Sequence, residues 1–112
     1  MDTRNKIVTA AAAPSGAVWV AGLFDVLRTG HVRQLQEIRE QASCAPVVAA
    51  ILPSPDALMD IAARARMAAS LRMVDYVVIT DAEELHGVFD RLRPVRVVRL
   101  EEPPIGMLRD AG

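Results

Sequence analysis

Apolar and polar positions fall into blocks along this chain. Ala17–Gly22 is a short apolar run closed by glycine, the pattern of a buried strand. Pro14-Ser15-Gly16 before it is a turn signal, so residues 1–16 read as a lead-in. From about Gly30 to Ala42 the residues Val32, Leu35, Ile38 and Ala42 recur at helical spacing, with Arg33, Glu37 and Glu40 elsewhere on the wheel. Thr29 is the predicted N-cap. Pro46–Leu52 is a continuous apolar run, as expected of a strand buried on both faces. Ser54-Pro55-Asp56 has the cap, proline and acid of a helix start. Leu58, Ile61, Ala62, Ala65 and Ala69 then share a face, with Arg64 and Arg66 away from much of it.

Asp75–Thr80 is the third predicted strand. Thr80–Glu84 holds two overlapping capping-box patterns, and Leu85, Val88, Phe89 and Leu92 form the apolar face of the next helix, with His86 off that face. Pro94 stops that helix, and Val95–Leu100 is the fourth strand. Glu101-Glu102-Pro103-Pro104 ends it and leaves 101–112 as a tail. Strands alternating with helices predict an α/β fold: a parallel sheet with right-handed crossovers and helices on both faces. With 112 residues the chain reads as a single domain, 1–112. Sheets of this kind bind ligands outside the carboxyl ends of their strands, at a topological switch point.

Composition narrows the chemistry. Hydrophobic residues make up 52% and charged ones 24%, a globular balance, and the 4% aromatic content points to a core of small and β-branched side chains. A net charge of −1 gives no electrostatic footprint for nucleic acid. The one cysteine, Cys44, excludes an internal disulfide and a cysteine-built metal site. His31 and His86 lack ligand spacing, so no metal site is expected. No apolar run reaches the roughly 20 residues of a membrane span, so no membrane partner is expected. Arg4 and Lys6 precede an Ala-rich run that loosely imitates a signal peptide, but Ile7–Ala13 is short and interrupted by Thr9. A cytoplasmic protein is the expectation.

The candidate site is where the first predicted strand turns into the first helix. Unpaired N–H groups and the helix dipole attract an anion at such a place. His31 lies in the first helical turn, and Arg28, three residues before it, can reach the same phosphate. Each residue also has a plainer use: Asp25 as a turn cap, His31 as a helix-start residue, Arg64 as a solvated charge.

The segment G-L-F-D-V-L-R-T-G-H-V-R-Q-L, Gly22 to Leu35, resembles the signature of the cytidylyltransferase-like nucleotidyltransferases: G-x-F-D, then H-x-G-H at a helix start. Within that family the likeness is greatest to the D-glycero-β-D-manno-heptose 1-phosphate adenylyltransferases. It runs through Asn5–Val8, Gly22–Gln36, Arg64–Val78 and Arg91–Arg99. The resemblance implies a Rossmann-like sheet of four main strands in the order 3-2-1-4. It implies attack of a sugar phosphate on the α-phosphate of ATP or CTP carried with magnesium, with no tightly bound cofactor, and commonly a homodimer. It places Gly22, Leu23, Phe24 and Asp25 in the phosphate-side turn, Gly30 where phosphate approaches, and His31 on the second histidine. It also makes Arg64 a site arginine of the second helix and sets Arg99 where relatives have a lysine.

The departures matter as much. Arg28 replaces the first histidine. The segment from Leu52 to Arg64 is shorter than in the relatives and holds no lysine, and the Ser/Thr-rich motif some relatives carry is not found before Gly112. Arginine keeps a fixed charge and bidentate phosphate contacts but not the shape of an imidazole. Three readings follow. One is a degenerate nucleotidyltransferase-like protein that binds a nucleotide, a sugar phosphate or a protein partner with little or no turnover. Another is an active enzyme with Arg28 and His31 as its catalytic pair. The third is a structural subunit with an empty cleft.

Overall fold

The structure, a computed structural model, describes residues 3–25 and 27–100. The predicted tail, 101–112, lies outside the described residues. Five strands form one all-parallel sheet: β1 (Ile7–Val8), β2 (Val18–Gly22), β3 (Val47–Ile51), β4 (Tyr76–Ile79) and β5 (Arg96–Arg99), in the order β1-β4-β3-β2-β5. Three α-helices connect them: α1 (Thr29–Ala42), α2 (Ile61–Ala69) and α3 (Ala82–Leu92). Short 3₁₀ turns at Thr3–Lys6 and Ala10–Ala12 flank β1.

The predicted order of four strands is present as β4-β3-β2-β5, and the sheet corrects the count to five. Ile7 and Val8, read from sequence as part of a lead-in, pair in parallel with Val77 and Val78. A two-residue strand has no periodicity to read; its partner, about seventy residues on, defines it. Lys6 ties the same segment down, its Nζ donating to the carbonyls of Leu71 (3.1 Å) and Val74 (2.9 Å).

β3 lies between β4 and β2, covered on both faces, and all five of its residues are buried. One face of the sheet packs Val18, Val20, Val47, Ala49 and Val77 against Leu35 and Ile38 of α1 and Ala65, Ala68 and Ala69 of α2. The other packs Trp19, Val48, Ala50 and Val78 against Leu85 and Val88 of α3 and against Ala10 and Ala13. Trp19 meets Phe89 edge-on with ring centroids 5.3 Å apart. β5 is an edge: arginines close both its ends, and Val97 on it is 49% exposed.

Two helix starts differ from the sequence reading. α1 is capped at Arg28 rather than Thr29. α2 begins at Ile61 behind Asp60, whose carboxylate accepts the N–H of Ala63 at 2.7 Å. Ser54-Pro55-Asp56 makes an isolated turn instead, with the Asp56 N–H on Ser54 Oγ at 3.3 Å. α3 starts as its sequence indicates, with Asp81 accepting the Glu84 N–H at 2.8 Å. Among the described residues no helix is long and apolar enough to cross a membrane.

Candidate functional site

β2 runs out at Gly22, beside the end of β5. A Cβ on Gly22 would stand 3.0 Å from the Cβ of Leu100, so the close approach of the two strands needs glycine there. The chain then turns at Phe24, a buried aromatic residue held at φ +53°. That left-handed backbone is rare for a bulky side chain, and burial of the ring in the α1–α2 core offsets its cost.

Asp25 follows, and its carboxylate reaches across to the loop after β3. Oδ2 accepts the N–H of Leu58 at 2.7 Å and Oδ1 the N–H of Met59 at 2.9 Å. These two bonds, Leu58 first, hold the Asp25 carboxyl below its ordinary pKa against the opposing effect of burial, and the charge of Arg64 adds a lesser lowering.

Arg64 is only 2% exposed. Its Nη1 donates to the carbonyls of Leu23 and Leu52, both at 2.8 Å, and its Nε to that of Met59 at 3.2 Å. The guanidinium therefore joins the carboxyl ends of β2 and β3 to the loop before α2. The plainer sequence reading, a solvated helix charge, is corrected: an arginine among alanines does not reveal that three carbonyls await it.

The start of α1 holds the second group. Arg28 is exposed and extended at the N-cap (φ −111°, ψ 168°), and its backbone N–H donates to Nδ1 of His31 at 3.1 Å. Accepting there places the proton of the neutral imidazole on Nε2. His31 is 5% exposed, and the series His31, Leu35, Ile38 forms the buried stripe of α1. Gly30 is exposed, with open space where a Cβ would be. It lines a groove of ≈ 390 Å³ between α1 and β5 whose walls include Arg33, Gln34, Arg96 and Val98.

The structure thus gathers Leu23, Asp25 and Arg64 at one side of the carboxyl edge, and Arg28, Gly30 and His31 at the start of α1. Arg99 stands apart from both. It is in register with Ala21, whose side chain belongs to the α3 core, so strand alternation sends the Arg99 side chain to the face opposite α1. Only its carbonyl turns toward α1, accepting Gln34 Nε2 at 3.2 Å. Sequence reading missed the backbone groups of Leu52, Leu58 and Met59, which carry no residue-type signal. It also missed Asp60, whose acid directly before a helical run was a readable cap.

No protein-family model matches the chain, and no curated protein matches it. Among solved structures it is similar to the lipopolysaccharide core biosynthesis protein from Thermoplasma volcanium GSS1, with a TM-score of 0.63 over 79% of this chain and 98% of that one, at 16% identity. At that identity the likeness shows the α/β fold alone.

Proposed function

We propose that this chain is a nucleotidyltransferase-fold protein that binds a nucleotide or sugar phosphate where α1 begins, with little or no turnover. The observation that carries this reading is the Arg28–His31 arrangement. A permanent cation sits at a helix N-cap, next to an open glycine and a histidine whose Nδ1 is fixed by the cap's own N–H. A phosphate there meets the first helical turn, the positive end of the helix dipole and the Arg28 charge. The motif order and a fold shared with a lipopolysaccharide core biosynthesis protein support the same reading.

Weak turnover follows from how the other polar groups are engaged. Asp25 and the Nε and Nη1 of Arg64 are bonded to backbone, and the loop from Pro53 to Asp60 offers Asp56 and Asp60 but no cation. Loss of one preorganised donor costs ~10²–10³ in turnover, and such losses are not additive. Magnesium would arrive with the triphosphate as part of the substrate. Asp25 already accepts an N–H on each oxygen, so a metal ion there would compete with its hold on the loop.

We also propose self-association or a protein partner, supported by Val95 and Val97, 65% and 49% exposed, at and beside the β5 edge. A cytoplasmic setting fits the exposed free thiol of Cys44. The test is a titration of ATP and CTP with magnesium into the chain, paired with a pyrophosphate-release assay containing a sugar 1-phosphate. Binding without release is the expected result. Robust release would replace this reading with an active transferase, and no binding of either nucleotide or of a sugar phosphate would leave a structural subunit.

A further inference from the structure

The loop from Pro53 to Asp60 is held mainly by groups outside it. Its own bonds are long: Asp56 N–H to Ser54 Oγ and Ala57 N–H to the Ser54 carbonyl, both at 3.3 Å. Its bonds to Asp25 are short, 2.7 Å from Leu58 and 2.9 Å from Met59, and they are charge-assisted. Apolar burial does not fix Leu58, which is 82% exposed. Arg64 takes the Met59 carbonyl and, through Leu23 and Leu52, pins both strand ends that the loop and the β2–α1 turn leave from.

We propose that Asp25 and Arg64 form a latch that closes the Pro53–Asp60 loop against the β2–α1 turn, and that the loop is a strap which opens when the Asp25 carboxylate lets go. Arg64 is the fixed half, buried and bonded to three carbonyls. Asp25 is the releasable half, since among the described residues its two bonds are what join the amides of the tip to the turn. The strap forms most of the lining of an open hollow of ≈ 710 Å³, together with Ile61 and Arg64, so its opening reshapes that hollow. α1 starts a few residues beyond Asp25, so the strap and the Arg28–His31 end of the site share one turn of backbone. The latch belongs to the free chain and stands whether or not a nucleotide binds.

Amide hydrogen exchange, followed by NMR on the full chain without ligand, tests this directly. The Leu58 and Met59 amides should be protected in the wild type. In Asp25→Asn one oxygen becomes an NH₂ that opposes an N–H, and protection at both amides should fall about tenfold or more while Val48 and Ala49 of β3 keep theirs. In Leu58→Ala the Met59 amide should be unchanged. Free exchange of both amides in the wild type, no change in Asp25→Asn, or loss of Met59 protection in Leu58→Ala would each overturn the latch.

Should Asp25→Asn fail to fold, the wild type suffices. Protection should vanish in step with protonation of the Asp25 carboxylate, followed through the ¹³C shift of its carboxyl carbon. The other charged groups on the elements meeting there are Arg64 and Arg66 of α2, Asp56 and Asp60 of the loop and Arg28 of the turn. Following the Asp25 carbon itself separates its protonation from that of Asp56 and Asp60. Protection that outlasts Asp25 protonation overturns the proposal.

Discussion

Gly22 and Leu100 meet so closely that a Cβ on the glycine would lie 3.0 Å from the leucine Cβ. Leu100 is 1% exposed and its N–H is bonded to the Ala21 carbonyl at 2.9 Å, so it has little room to retreat. Gly22→Ala should therefore lose about 1–3 kcal/mol of stability, the usual cost of overpacking a well-filled core. Urea unfolding of the two proteins measures it, and equal midpoints with equal slopes would show that Leu100 yields without cost.

Arg28 carries the chemical prediction. Its side chain is exposed, so Arg28→Ala should leave the melting temperature nearly unchanged while weakening nucleotide binding by about tenfold, one charge-assisted contact. Arg28→His should rebuild the H-x-G-H pattern without restoring transfer, because the loop after β3 still lacks a cation. Pyrophosphate release by the histidine variant alone would show that one residue silenced the site.

Stability should depend on pH through Asp25. Its native pKa is lowered by the Leu58 and Met59 bonds, so ionisation favours the folded chain. That contribution is complete above the unfolded-state value of about 3.9 and disappears as pH falls through the lower native value. Denaturant unfolding from pH 7 downward should show Asp25→Asn less stable than wild type at neutral pH, the gap narrowing only once the acid range is reached. A gap independent of pH down to acid unfolding would remove the carboxylate from the account.

Asp75 offers a second carboxylate with a different role. It pairs with Arg39 of α1 and also accepts the N–H of Val47, a fully buried residue at the start of β3. Asp75→Ala leaves that N–H without its partner and should cost about 1–3 kcal/mol. Arg39→Ala frees the Ser43 and Ala45 carbonyls toward water and should cost less. Thermal unfolding of the two variants gives the ranking, and the reverse order would assign the stability to the ion pair.

Arg93 should be improvable. It caps α3 in the left-handed region at φ +46°, and its side chain is exposed. Arg93→Gly relieves that backbone and should gain about 0.5–1 kcal/mol. A loss on calorimetry would mean that the arginine side chain does more at the helix end than its exposure indicates.

These residues also show what a single sequence can carry. Continuous apolar runs such as Val47–Ile51 expose buried strands because burial on both faces leaves no polar alternation. Local chemistry was readable where the cap and its helix are neighbours, as with Asp81 and Glu84. It failed where the partner was distant. Ser54-Pro55-Asp56 has the right residues for a helix start, yet only the Ala57 N–H returns to the Ser54 carbonyl, those of Leu58 and Met59 go to Asp25, and the helix waits for Asp60. Arg64 looked solvated because carbonyl acceptors have no letter in the sequence.

The pairing of Ile7–Val8 with Val77–Val78 has a consequence during synthesis. As the chain leaves the ribosome, β1 is without its neighbour until some seventy more residues have emerged, and the Lys6 ammonium waits equally long for the Leu71 and Val74 carbonyls. β2 and β3 are adjacent in both sequence and space and close a far shorter loop. The nascent chain therefore assembles its sheet from the middle outward. The amino-terminal strand is the last seam drawn shut on its side, and until then the outer edge of β4 stays open to any other extended chain.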